Sequence, residues 1–235
     1  MASHGVFITI DGTDGSGKAT QTKLLVERLT REGRGVQTIS FPQYGKKSAG
    51  LVEEYLSGTF GTALDVGPYA SSIFFAVDRF DASQKIKCWL EAGQIVVTDR
   101  YVGSNMGHQG SKISDPEQRA TFFKWDIHLE HEIFKIPRPD INIILHVPSE
   151  VAHELITKRD AQEGSKHGLK KDVHESDPRH LKAAEEAYLD MANRFETFQL
   201  VECVESDRLL TPEQVHERVW SLVAKFLPSS FIPSS

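Results

Sequence analysis

The chain has 235 residues, 26% of them charged and 39% hydrophobic, with a formal net charge of −6. That is length enough to bury the core of one domain, and the composition is that of a globular protein. The acidic balance argues against a nucleic-acid coat or a membrane-surface protein, and no apolar run approaches the roughly 20 residues a membrane span needs.

In chain order, Val6 to Ile10 is a candidate buried strand that runs into the glycine-rich stretch GTDGSGKATQ. Thr20 to Glu32 then reads as a helix and Val36 to Ser40 as a second strand. Ser48 to Leu56 suggests a short helix, and a long one over Pro68 to Ala92 stops at Gly93. Ile95 to Thr98 is a third strand. Asp115-Pro116-Glu117 opens a helix running towards Phe134. INIILHV, Ile141 to Val147, is a fourth strand, and Glu150 to Arg159 is helical. Leu200 to Val204 is a fifth strand. Thr211-Pro212-Glu213 caps the last helix, with proline in its first turn. This alternation predicts an α/β fold with a parallel sheet, in a single domain spanning 1–235. The segment Asp160 to Asp177 is charged and poor in apolar residues, as a lid or a flexible tip would be. The tail from Pro228 is expected to fray. Cys88 and Cys203 make no C-x-x-C pattern and read as reduced core thiols. MASHGVFITI enters a strand without a leader or lipidation motif, so the expected location is the cytoplasm.

In parallel sheets, ligands bind beyond the carboxyl ends of the strands. Three polar motifs lie there: the glycine loop, FPQY and DRY. The loop fits G-x-x-x-x-G-K-[ST] at Gly12, Gly17 and Lys18, but Ala19 stands where a hydroxyl would hold magnesium. Glycines turn backbone N–H groups inward as an anion nest, the next helix adds its positive end, and Lys18 adds a charge. Asp99 and Arg100 after the third strand suit a metal and a phosphate; a surface ion pair is the plain alternative. Phe75 and Arg79 share a helix face, as a stacking ring and a fork for a base edge would. Taken alone they read as a packed ring and a solvated cation. Lys170 and Lys171, with Asp172 and Glu175 close by, read either as solvated or as closing over phosphates.

Together IDGTDGSGKATQ, FPQYG, FFAVDRF, VVTDRYVGSN and KKDVHE, in that order, resemble thymidylate kinases, P-loop nucleoside monophosphate kinases that make dTDP from dTMP and ATP. The resemblance spans Val6 to Val223. It implies a three-layer P-loop kinase fold: a five-stranded parallel sheet flanked by helices, with a mobile lid at about 159–177. It implies ATP and dTMP as ligands, Mg²⁺, a homodimer formed through long helices, and a place in dTTP biosynthesis. By position, Gly12, Gly15, Ser16, Gly17, Lys18, Ala19 and Thr20 would surround ATP phosphates. Asp14 would approach the acceptor and help position the metal, with Asp99 and Glu175 as the other carboxylates available to it, in part through water. Arg100 would hold the acceptor phosphate. Phe41 would belong to the dTMP site, Tyr44 would pack beside the deoxyribose, Phe75 would stack on thymine, and Arg79 would read it. Asn105 and Gln109 would make polar contacts there. Arg159, Lys170 and Lys171 would act from the lid.

Four departures from the family pattern stand out. Ala19 lacks the hydroxyl, and His108 sits near a position that is often tyrosine. Gly15 and Ser16 stand where one subgroup has an arginine. Lys166, Lys170 and Lys171 replace a lid arginine, a charge without the fork. Two alternatives stay open: a kinase for another pyrimidine monophosphate, or a non-catalytic nucleotide binder marked by Ala19.

Overall fold

The computed structural model describes residues 4–163 and 178–228. The expected elements appear in order: β1 (Phe7–Gly12), α1 (Lys18–Arg31), β2 (Val36–Ser40), α2 (Gly50–Leu56), α3 (Ala63–Glu91) and β3 (Ile95–Asp99). There follow α4 (Val102–Gly110), α5 (Pro116–Ile127), β4 (Ile141–His146), α6 (Ser149–Glu163), α7 (Pro178–Arg194) and β5 (Phe198–Glu202). A two-stranded hairpin, β6 (Val204–Glu205) and β7 (Arg208–Leu209), leads to α8 (Pro212–Val223).

The five long strands form one parallel sheet in the order β2-β3-β1-β4-β5. Neighbouring residues on a strand point to opposite faces. Ile8, Val97 and Ile143 therefore meet Leu25, Leu29, Val215 and Val219 of α1 and α8. Phe7, Val96 and Ile144 face the other way, onto Ile86, Met106, Phe122 and Tyr188 of α3, α4, α5 and α7. Helices on both faces make the expected three layers. In register, Ile10 lies beside Asp99 and Asp99 beside Ser40. The loops after β1, β2 and β3 thus emerge together at one end of the sheet.

Local chemistry explains most boundaries. Thr211 and Gln214 form a capping box at α8, and Asp115 accepts from Glu117 and Gln118 N–H groups at α5. The long third helix starts earlier than expected, at a second capping box of Thr62 and Asp65. It breaks at Gly67, with φ 72°, immediately before Pro68, where the helical pattern in the sequence begins. The strand expected at Leu200 begins at Phe198. Cys203 is buried, but Cys88 is exposed on the outer face of α3 and is not a core thiol.

Two helices are new. The stretch VGSNMGHQG has three glycines, which hide a helix from propensity. Two of those glycines are required by packing on α7 and β1. A Cβ on Gly107 would lie 2.4 Å from the ring of buried Tyr188, and one on Gly103 would lie 2.7 Å from Asp11. Gly107→Ala is therefore expected to lower stability by about 1–3 kcal/mol, read as the midpoint of urea unfolding. An unchanged midpoint would show that α7 yields at this contact.

Candidate active site

The site is built on the carboxyl ends of β1 and β3. The P-loop runs from Gly12 to the start of α1, with Gly12, Gly15 and Gly17 at φ of 143°, 80° and 88°. Side chains rarely adopt such angles, and a Cβ on Gly12 would meet the Leu145 carbonyl oxygen at 2.6 Å. Lys18 curls back over the loop, and its Nζ donates to the Gly12 and Thr13 carbonyls at 3.1 and 2.8 Å. Ala19 and Thr20 are exposed on the first turn of α1.

Arg100 is a non-glycine residue at φ 66°, an uncommon backbone state that clusters at functional sites. Two contacts hold it there. Its N–H donates to the Ile10 carbonyl at 2.9 Å, and the next N–H, of Tyr101, donates to Asp11 Oδ1 at 3.0 Å. Asp11 is fully buried and also accepts from Ser104 Oγ at 2.6 Å, so one carboxylate ties β1 to the Arg100 turn and to α4. The turn aims the guanidinium at Asp14, which it contacts directly. Asp14 lies 3.7 Å from Lys18 Nζ on its other side.

Burial would raise the Asp14 carboxyl, but Arg100 and Lys18 override it and hold the group well below the usual carboxylate range. Burial, and then repulsion from Arg100, pulls Lys18 down to about 8, against the attraction of Asp14 and Asp99. Burial raises Asp99, and Lys18 only partly offsets it. Arg100 Nη1 donates to His108 Nε2 at 3.0 Å. Arginine cannot accept, so His108 is neutral with its proton on Nδ1, facing His180 at 3.4 Å. Burial likewise depresses the His108 imidazole well below its ordinary value.

All the residues expected on the acceptor side line one pocket: Asp14, Phe41, Tyr44, Phe75, Arg79, Arg100, Asn105 and Gln109. It encloses about 630 Å³ counting its open mouth. His108 and Ser104 complete the wall. Phe75 is half-buried, edge-on to Tyr55 at 6.1 Å. The solvated alternative for Arg79 is not found, because its side chain is 2% exposed. Its Nε and Nη2 donate to the two carboxylate oxygens of Glu130 at 2.6 and 2.5 Å. Gln109 Oε1 accepts from Ser71 at 2.7 Å, and Ser71 in turn takes Lys112 Nζ at 3.2 Å.

Glu130 and Asp126 have no motif around them and escape sequence reading, while Asp11 stands inside IDGTDGSGKATQ with no role that the sequence assigns it. Glu130 lies on a π-helical turn, His128–Ile133, that continues α5. Such turns recur at functional sites, but the sequence does not announce them. Arg159 falls in α6, and its side chain is outside the described residues. Lys166, Lys170, Lys171 and Glu175 also lie outside them, so their expected roles meet no geometry. Among the described residues no three His, Cys, Asp or Glu side chains gather as a metal site. None of the helices described is long and apolar enough to cross a membrane.

Three comparisons bear on this geometry. The family model described as thymidylate kinase matches residues 10–207. A thymidylate kinase of Mycobacterium tuberculosis is 32% identical over 150 residues, covering 63% of this chain and 69% of its own. A probable thymidylate kinase of Thermococcus onnurineus is 30% identical over 225 residues, covering 93% and 97%. The structure of thymidylate kinase from Candida albicans superposes with a TM-score of 0.71 at 21% identity, over 96% of this chain and 94% of that one. That likeness carries the fold, whereas the family match carries the activity. The chain belongs to the thymidylate kinase family, the enzymes that phosphorylate dTMP.

Proposed function

We propose that the chain transfers the γ-phosphoryl group of ATP to dTMP, with Mg²⁺, and does so between Lys18 and Arg100. The observation that carries this reading is Asp14, shared by the two cations, at 3.7 Å from Lys18 and in direct contact with Arg100. One cation belongs to the P-loop and the other to the wall of the acceptor pocket, so donor and acceptor phosphates would meet there. ATP phosphates lie on the P-loop N–H groups from Gly12 to Thr20. The dTMP phosphate displaces Asp14 from Arg100 in part and takes the guanidinium fork. Phe75 stacks on the base while Arg79, Asn105 and Gln109 read its edge. Tyr44 and Phe41 flank the sugar.

In the transfer, an acceptor phosphate oxygen bonds to the γ-phosphorus as the bridging bond to the β-phosphate breaks. ADP leaves with that electron pair. The acceptor is already an anion, so positioning and charge neutralisation do most of the work and no general base is needed. Neutral His108 is occupied as an acceptor for Arg100 and serves as a support.

The residues fit a magnesium ion despite Ala19. Asp99 Oδ1 is buried without a hydrogen-bond partner among the described residues, and its neighbours include Lys18. Magnesium keeps several waters and takes one or two carboxylates, so Asp99, with Asp14 through water, would hold it beside the phosphates. When bound, the ion neutralises phosphate charge. Glu175, Arg159, Lys170 and Lys171 belong to the same reading, with the lysines closing over the phosphates and keeping water out. Lys170→Ala combined with Lys171→Ala is expected to slow single-turnover transfer at saturating substrates by about 10-fold or more. An unchanged rate removes them from the mechanism.

An apolar stripe on α3, Tyr69, Ile73, Val77 and Phe80, is 37–53% exposed. An exposed stripe of this kind supports a homodimer through α3. The substrate is tested by ATP consumption across dTMP, dUMP, dCMP, UMP and AMP. A turnover highest with another monophosphate would reject the assignment. Lys18 adds a pH signature. Its charge is half lost at about 8, is nearly complete a unit below and is lost as pH rises further. kcat/KM for ATP should be flat to about pH 7.5 and fall towards tenfold per unit above 8–9. Lys18→Arg should lose that break; a profile without a break in the unmodified chain would count against Lys18 as the phosphate cation.

A further inference from the structure

One turn of α3 serves the acceptor pocket in two ways. Phe75 and Arg79 line it, and Asp78, three residues after Phe75, shares their side of the helix. Asp78 is 1% exposed, and its carboxylate turns to the loop between β2 and α2. Oδ2 accepts from the Gln43 N–H at 2.7 Å. Oδ1 accepts from Ser48 Oγ at 2.7 Å and from Gln43 Nε2 at 3.1 Å. Gln43 Nε2 also donates to the main-chain carbonyl of Asp78 at 3.0 Å. That carbonyl can only accept, and Gln43 Oε1 takes the Lys46 ammonium, which can only donate, at 2.5 Å. Both ends of the amide therefore fix the same orientation.

The loop held in this way carries Phe41, Pro42 and Tyr44, which line the same pocket as Phe75 and Arg79. Phe41 is buried, but beyond it the loop has little to pack. Tyr44 is 57% exposed, and Gly45, Lys46 and Lys47 are exposed as well. The Gly45 N–H donates to Glu53 Oε1 at 2.7 Å, at the surface, where water competes. Gln43, by contrast, is buried on Asp78. Hydrogen bonds to a buried carboxylate are among the stronger ones, and a buried donor left without its acceptor is costly.

We propose that Asp78 is a positioning residue for the acceptor nucleotide. It clamps the β2–α2 loop to the turn of α3 that bears Phe75 and Arg79. Two walls of the pocket thereby keep a fixed separation, and the acceptor enters a preformed slot. Only the identity of the acceptor rests on the thymidylate reading.

Steady-state kinetics on the full chain, with dTMP and ATP each varied, compares Asp78→Ala, Asp78→Asn, Gln43→Ala and the Asp78→Ala/Gln43→Ala pair with the unmodified protein. Asp78→Ala should raise the KM for dTMP by about 10-fold or more, with kcat and the KM for ATP within about 3-fold. Asparagine keeps an oxygen for the Gln43 N–H, and the Ser48 hydroxyl can turn to accept from its amide. Asp78→Asn should therefore stay within about 3-fold. The double variant should match Asp78→Ala to within about 2-fold, because both changes break one clamp. Trypsin cleavage after Lys46 or Lys47, without nucleotide, should be about 10-fold faster in Asp78→Ala. An unchanged KM for dTMP, a rise shared equally with ATP, or additive losses in the double variant overturns the proposal. If Asp78→Ala does not fold, Ser48→Ala decides: a rise of about 3-fold for dTMP alone supports the clamp, and no change overturns it. If the unmodified chain does not turn over dTMP, the thymidylate reading falls. The cleavage arm then decides the clamp by itself, and an unchanged rate overturns it.

Discussion

Arg100→Lys is expected to lower kcat/KM for dTMP by about 10²–10³-fold while the KM for ATP moves by a few-fold at most. The substitution keeps the positive charge beside Asp14, so the buried carboxylate is not abandoned. What it removes is the planar fork. Arg100 uses one nitrogen on Asp14 and another on His108, with the guanidinium plane fixed between them. A lysine ammonium would satisfy Asp14 and could not also hold an acceptor phosphate in a bidentate grip. The backbone sharpens the effect. At φ 66° the residue is locked by Ile10 and Asp11, so the shorter reach of lysine cannot be recovered by a shift of the turn. Steady-state kinetics with each substrate varied in turn reads this directly. A loss spread equally over both substrates would mean that Arg100 serves the loop as a whole.

Glu130→Ala carries the largest expected stability loss, about 3–5 kcal/mol by urea unfolding. Glu130 is fully buried, and it is the bidentate partner of an arginine 2% exposed. Burial works against the Arg79 charge, and Glu130 outweighs it, so the guanidinium is held above its usual value. Removing the carboxylate leaves that cation buried and uncompensated. The pair itself is not needed for stability. Replacing both partners with leucine should restore much of the loss while dTMP affinity stays low. A loss under about 1 kcal/mol in the single variant would show that water enters and solvates Arg79.

The sheet was legible because alternation of buried runs and amphipathic segments is a period signal. Val36–Ser40 is found at the positions expected, and the three loop motifs meet at one sheet end. What escaped has physical reasons. α4 is rich in glycine because its neighbours press against it, so propensity argues against the helix that packing makes. α7 shows its stripe at Leu181, Ala184, Tyr188 and Met191. Half of that signal is carried by small or half-polar side chains, but the spacing alone would have sufficed to find it. The pocket-lining residues stood in motifs. Among their supports, Asp126 and Glu130 are lone carboxylates and Asp11 stands in a motif without an assigned role, and only the fold reveals which cation or N–H each faces. Arg79 illustrates the difference. Its motif suggested a base reader, while isolated reading made it a solvated cation, and burial rejects the latter.

The central claim is that one site joins the P-loop to the Arg100 pocket and passes phosphate between them. Phosphorus NMR of ATP and dTMP with the protein and magnesium tests it most directly. The account predicts one dTDP for each ADP, negligible ADP when dTMP is left out, and loss of both products with Lys18→Ala. ADP accumulating without dTDP would contradict it.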